Sequence, residues 1–180
     1  MTTSFHETTA PLFRSALASL KAILKKAEAH ASEHAIPPDS LLDWRLAPDM
    51  LPLSFQVHEV TDTAARLVAR TSAVDPPAWT PDDLRTLPEA WARISEAEGW
   101  LDKADGETFE RRADEEVPVG LLALGVERSE DVPLRGWVAM YAIPTLFFHL
   151  SVAYGILRSK GVALGKMHFI GGFAAPWISI

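Results

Sequence analysis

With 180 residues, 48% of them hydrophobic and 23% charged, the chain is long enough to bury one substantial apolar core, and a single domain over residues 1–180 is expected. That composition excludes disorder, and 17 Lys and Arg against 24 Asp and Glu (net charge -7) leave no basic surface for nucleic acid. The absence of cysteine excludes disulfides, thiolate metal sites and cysteine nucleophiles, and the opening residues lack a secretory signal, so a cytoplasmic location is expected.

Taken in chain order, Leu12, Phe13, Ala16, Leu17, Leu20, Ile23, Leu24, Ala27 and Ala31 recur at steps of three and four, which predicts a long amphipathic helix. Ser4 and Glu7 are spaced for a capping box, whereas Pro11 suits either a first turn or a kink; Ile36-Pro37-Pro38-Asp39 stops the helix. A second helix is predicted from Ala47-Pro48-Asp49 to Arg70, with proline and carboxylate suited to its first turn. At 100° per residue, Asp49, Leu53, Gln56, Val60, Ala64 and Leu67 share its core-facing stripe. His58 falls on the opposite side with Phe55 and Asp62, which assigns it to another surface.

Thr86-Leu87-Pro88-Glu89 opens a third helix whose apolar face runs through Ala90, Trp91, Ile94, Ala97 and Leu101 to a stop at Asp105-Gly106. Between Glu107 and Leu134 the helical period is lost, and extended pieces at Thr108 to Arg111, Val117 to Leu122 and Val126 to Arg128 suggest a hairpin. A fourth helix covers Gly136 to Ser159, kinked at Pro144 and ended by Lys160-Gly161, and the apolar tail beyond it is expected to dock. From Trp137 to Leu157 the only readily ionisable side chain is His149, so the length criterion for a membrane span is met. Pro144, Thr145, His149 and Ser151 interrupt that run, and three other apolar stripes need a common partner; the expected role is the core helix of a bundle, with no membrane.

Phosphate loops, dinucleotide fingerprints, nucleophile elbows and His-Glu-x-x-His are all missing, so the informative residues are polar ones at positions the period buries. His149 lies on the apolar fourth helix, where desolvation favours a neutral imidazole able to act as base or as a satisfied core residue. Asp49, Gln56 and His149 are expected to face one interhelical cavity, with Arg45 pairing with Asp49 and Tyr154 either packing or serving as an acid. The expected catalytic residues are therefore His149, Asp49 and Tyr154, with Arg45, Gln56 and Lys166 binding substrate. Neither metal nor cofactor is expected. His30 and His34 are four apart but sit in the last turn of the first helix, where a capping or surface role fits the helix dipole. The large apolar surface, with Trp100, Trp137 and Trp177, suggests a homodimer acting on a small molecule.

Four blocks carry a resemblance: Arg45-Leu46-Ala47-Pro48-Asp49-Met50-Leu51-Pro52-Leu53, Pro144-x-x-Phe147-Phe148-His149, Tyr154-Gly155-Ile156-Leu157-Arg158, and Gly161-Val162-x-Leu164-Gly165-Lys166-Met167-x-Phe169. Together they resemble an uncharacterised domain-of-unknown-function family related to the DinB-like four-helix bundles. The resemblance implies an all-α bundle in up-down-down-up arrangement, often dimeric, and in the wider group often a divalent metal on three histidines, one from helix two and a His-x-x-x-His pair from helix four. In this sequence Thr145 precedes His149 by four residues, Ala153 follows it by four, and the inward position of helix two is Gln56. The reading that follows is a metal-independent acid/base enzyme of isomerase, cyclase or lyase type. A metal-dependent transferase or hydrolase using His58 and Asp62 with His149 or His168 is the alternative, and a non-catalytic binding protein is the third reading.

Overall fold

In the computed structural model, which describes residues 4–120 and 127–175, the first amphipathic segment is α1 (Phe5–Glu33). Ser4 Oγ accepts from the Glu7 N–H and the Glu7 carboxylate accepts from the Ser4 N–H, so the capping box sets the start and Pro11 lies inside the helix. Phe13, Leu17, Leu20, Ile23 and Leu24 are fully buried along its inner face.

The second long helix, α2 (Leu53–Ser72), begins later than the sequence predicts. Pro52 disfavours helical backbone at Leu51, the Arg45 guanidinium donates to the Met50 carbonyl, and the Leu53 N–H donates to the Trp44 carbonyl at 2.9 Å. Residues 45–52 are therefore a tied-down loop, and Asp49 is exposed in it. α2 is the central helix. It packs against α1, α3 (Leu87–Leu101), α4 (Gly106–Arg112) and the last long helix, so His58, Thr61, Asp62 and Thr63 are buried as well as the expected stripe.

Thr86 and Glu89 form the capping box of α3, as their spacing suggests. The piece at Thr108 to Arg111, expected to be extended, belongs instead to α4: the Asp105 carboxylate accepts from the Thr108 N–H at 2.8 Å and from its hydroxyl at 2.6 Å, nucleating a helical turn. The hairpin follows as β1 (Glu116–Gly120) and β2 (Ser129–Pro133), antiparallel, with Val117 opposite Val132 and Gly120 opposite Ser129. Leu121, Leu122 and Val126 of the expected strands lie outside the described residues, and Glu127 and Arg128 precede β2 rather than forming it.

α5 (Leu134–Trp137) continues through a π-helical turn at Val138–Ala142 into α6 (Ile143–Ser159). Pro144 has no N–H for the carbonyl four residues back, and its ring crowds that carbonyl; the wider π turn immediately upstream accommodates both. The irregularity expected at Pro144 thus lies just before it. Gly161, at φ 91°, closes α6 in a conformation that side-chain-bearing residues rarely adopt. By length and composition Leu134–Ser159 could cross a membrane. Here Leu146, Leu150, Ala153, Ile156 and Leu157 are fully buried in the bundle, while Met140 (82%) and Phe148 (60%) are exposed on the other side.

The apolar tail supplies α7 (Lys166–Ala174), which lies along α1. The Ser19 hydroxyl donates to the Phe169 carbonyl, and Gly172 sits so close that a Cβ there would fall 2.5 Å from the Ser15 carbonyl oxygen. Trp177 and the residues after it lie outside the described residues. The architecture is an all-α bundle of α1, α2, α3 and α6 with a hairpin inserted before the last long helix.

Candidate functional site

A cavity of about 290 Å³ opens between α2, the end of β1 and the segment from Trp137 to Thr145. α2 furnishes one wall with His58, Glu59, Asp62, Thr63, Arg66 and Arg70, and the opposite side carries Val119, Gly120, Trp137, Tyr141 and Thr145. The polar residues on α2 recur at three and four, so one helix face delivers all of them. Arg70 is fixed by two contacts: its guanidinium lies 4.6 Å over the Trp137 ring, and it donates to the Pro118 carbonyl at 2.9 Å.

His149 stands beside this cavity on α6, and Gln56 determines its proton. The Gln56 side-chain NH2 donates to the Leu51 and Pro52 carbonyls at 3.2 and 3.3 Å, which leaves Oε1 to accept from His149 Nδ1 at 2.8 Å. Because carbonyls only accept, the amide has one workable orientation; Nδ1 then carries the ring proton and Nε2 keeps a lone pair. That Nε2 faces Glu59 Oε2 at 3.7 Å, beyond hydrogen-bond range. Burial, and secondarily the charge of His58, lowers the His149 pKa to about 4, so the ring is neutral at pH 7 and the contact with Glu59 is not an ion pair. Glu59 shifts the other way: burial, and then the Asp62 charge, raises its pKa, with Arg66 opposing. An imidazole made hard to protonate thus faces a carboxyl made easy to protonate.

His58, one turn before Asp62, is 6% exposed, and burial is the main cause that lowers its pKa. Asp62 is 7% exposed; Arg66 pairs with its Oδ2, while Oδ1 is buried without a hydrogen-bond partner among the described residues. A buried carboxylate oxygen left unpaired costs about 1–3 kcal/mol, which Asp62 bears in this packing.

Of the residues expected to form the site, the structure brings Gln56 and His149 together. Asp49 is exposed before α2 and has no hydrogen bond or ion pair with His149 among the described residues, and Arg45 is bound to the Met50 carbonyl rather than to Asp49. Tyr154 is half-buried with its ring edge-on to Phe169 at 5.9 Å, on the side of α6 that meets α7. Lys166 is exposed at the start of α7. His58 faces a surface other than the Gln56 stripe, together with Asp62, and that surface is the cavity rather than an uninvolved face. His30 and His34 stay at the end of α1, where His34 Nδ1 lies 2.9 Å from the His30 carbonyl oxygen. Glu59 carried no signal in the wheel argument; the repeat of polar residues at 58, 59, 62 and 66 along one face of α2 was the available clue.

The chain matches the model of Domain of unknown function (DUF1993) over residues 5–170. This protein belongs to the DUF1993 family. Its fold is also that of a DinB family member protein from Shewanella denitrificans solved at 1.83 Å: TM-score 0.83, 32% identity, covering 97% of this chain and 95% of that one. No curated protein matches. DUF1993 is thereby tied to the DinB-like bundles, and the divalent metal common in that group can be tested against the donors present. Among the described residues no three His, Asp or Glu side chains are grouped to hold an ion. Thr145 stands where a second imidazole would complete a pair with His149, the inward position of α2 is Gln56, and His58 accepts from Arg93 at Nδ1, which puts its proton on the nitrogen that would ligate. This DUF1993 chain does not fit the three-histidine centre.

Proposed function

We propose that this DUF1993 protein binds a small molecule in the interhelical cavity and acts on it by acid/base chemistry of the isomerase, cyclase or lyase type, with His149 as base. The observation that carries the reading is the placement of His149 Nε2, an unprotonated acceptor at neutral pH, 3.7 Å from Glu59, which lines the cavity although His149 itself does not. Glu59, with its pKa raised by burial, supplies a proton more readily than an ordinary carboxylate. Gln56 orients the base as a second residue behind it, the arrangement expected of a nucleus that must present one nitrogen in one tautomer. The protein is a cytoplasmic homodimer in this reading, with the exposed Met140 and Phe148 on the face that meets the second copy.

Thermal shifts across a metabolite library, wild type against His149→Ala, identify the ligand; the hit is then assayed for proton exchange with solvent. A stabilising ligand that loses solvent exchange with the His149 variant supports the reading. Elemental analysis of untagged protein is the counter-test: a stoichiometric metal would replace this reading with a metal-dependent transferase or hydrolase. Ligand binding without any turnover would leave a binding protein.

A further inference from the structure

Arg66 and Arg70 stand one turn apart on the face of α2 that lines the cavity. Arg66 pairs through Nε with Asp62 Oδ2, and its charge is thereby balanced. Arg70 has no carboxylate partner among the described residues. Its NH1 group donates to the Pro118 carbonyl at 2.9 Å, and its guanidinium lies over the Trp137 ring. Residues 121–126, which follow the Gly120 edge of the cavity in the chain, contain no Asp or Glu. Burial, and then the like charge of Arg66, lowers the Arg70 pKa from its ordinary value, with Tyr141 opposing. A guanidinium still keeps its proton at pH 7, so this end of the cavity wall holds one cation in excess.

Pro118 lines a second hollow, of about 190 Å³, that Arg66 and Arg70 also line, and not the main cavity, so NH1 is engaged elsewhere. The Nε and NH2 groups of Arg70 form the other edge of the planar fork and make no hydrogen bond among the described residues. Neither is sealed in the packing, since Asp62 Oδ1 is the sole buried side-chain nitrogen or oxygen without a partner there. We propose that Arg70 is an anion-binding residue and that the cavity takes a monocarboxylate, its two oxygens on the Nε and NH2 edge of Arg70. The proposal rests on the cavity being the ligand site, and it does not depend on the acid/base step. Two parallel N–H···O bonds are the pairing that a guanidinium edge makes with a carboxylate. Trp137 already holds the guanidinium in place, so little side-chain freedom is lost when the ligand binds. Charge decides the class: one uncompensated cation takes one negative charge, whereas a phosphate monoester brings about −1.5 to −2. Glu59 precedes Arg70 by eleven residues, about 16 Å along the helix axis, which exceeds the roughly 8 Å screening length of physiological salt. Its charge therefore does little to repel the carboxylate. The body of the ligand extends from Arg70 toward Glu59, the end of the cavity where the acid/base reading places the chemistry.

The test is an NMR titration of full-length wild type, Arg70→Gln and Arg70→Lys, read at the Arg70 side chain and the Trp137 indole N–H. The probes are 2-oxobutyrate, its neutral amide 2-oxobutanamide, and inorganic phosphate. In wild type, 2-oxobutyrate is expected to bind saturably and to shift both signals, roughly 10-fold or more tightly than the amide or phosphate. Arg70→Gln is expected to lose that preference, and Arg70→Lys, which keeps the charge without the fork, to fall between. Because Arg70 packs on Trp137, folding of each variant is checked by circular dichroism; if Arg70→Gln unfolds, wild type with the three probes and Arg70→Lys decide. The amide or phosphate binding as tightly as 2-oxobutyrate, an unchanged 2-oxobutyrate affinity in Arg70→Gln, or no binding of 2-oxobutyrate at all overturns the proposal. The acid/base reading fails separately: 2-oxobutyrate then binds with its Arg70 dependence intact, but solvent deuterium enters its C3 position no faster than in buffer. Conversely, exchange into the amide that survives Arg70→Gln and is lost in His149→Ala overturns the anion site and keeps the acid/base reading.

Discussion

Gln56 Oε1 accepts from His149 Nδ1 at 2.8 Å, joining the first turn of α2 to the middle of α6 and leaving one imidazole nitrogen free to face Glu59. The same amide ties the Leu51 and Pro52 carbonyls, so a single buried side chain ends the loop, starts the helix and orients the base. Gln56→Glu puts a carboxylate against Nδ1 and should raise the His149 pKa from about 4 by a unit or more, seen in an NMR titration. It also removes the donors for two carbonyls, so a loss of about 1–3 kcal/mol in urea unfolding is expected. An unchanged titration midpoint would mean that Gln56 does not set the state of the ring.

His149→Ala leaves Gln56 Oε1 without its donor and opens a cavity beside Phe55, whose ring centroid lies 5.8 Å from the imidazole. Stability should fall by about 1–3 kcal/mol, whatever His149 does chemically. If it is the base, turnover on the ligand found by thermal shift should fall roughly 100-fold or more in protein that remains folded. Retained turnover would reduce His149 to a core residue.

The pH dependence has a definite sign. The unfolded chain protonates His149 near 6.5, whereas the folded protein resists until about 4, so this group's contribution is complete above 6.5 and is lost as pH falls toward 4. His58, also shifted down, adds in the same direction. Glu59 acts oppositely: its raised pKa contributes stability below its unfolded value of 4.5 and loses it as pH rises through the folded value. Glu59→Gln should therefore raise Tm at pH 7.5 and have little effect at pH 4. A Tm that fell at pH 7.5 would show that the Glu59 charge is stabilised in the fold.

Gly172→Ala tests the docking of α7. Its Cβ would meet the Ser15 carbonyl oxygen at 2.5 Å and Ser19 Oγ at 2.8 Å, one of them backbone, so α7 has to move away from α1. A loss of about 1–3 kcal/mol and faster amide exchange confined to α7 are expected. Gly171→Ala, with nothing within 4 Å of the added carbon, is the control.

The proposed homodimer is tested at Met140 and Phe148. Met140→Glu with Phe148→Glu should move the mass measured by light scattering from a dimer to a 19.8 kDa monomer without loss of helicity. Wild type already monomeric at high concentration would end that proposal.

The four long helices, the capping boxes of α1 and α3 and the hairpin region were legible in the sequence because periodicity, capping boxes and prolines act over a few residues: Ser4 with Glu7, Thr86 with Glu89, and Pro144 upstream of His149 all act locally, whereas the short α4 was not. The pairing of Gln56 with His149 was legible too, since each lay on the inward stripe of its own helix. The start of α2 was not, because the loop from Arg45 to Pro52 is held by bonds to Met50 and Trp44 carbonyls that no single-helix pattern contains. The placement of His58, Glu59 and Asp62 was decided by tertiary structure for a related reason. A wheel identifies one core-facing stripe, whereas α2 is enclosed by α1, α3, α4 and α6, so the other surface to which His58 was assigned is buried as well and forms the wall of the cavity. Arg93 reaches His58 only because α3 packs beside α2, a contact between positions 35 residues apart that depends on the whole bundle having formed.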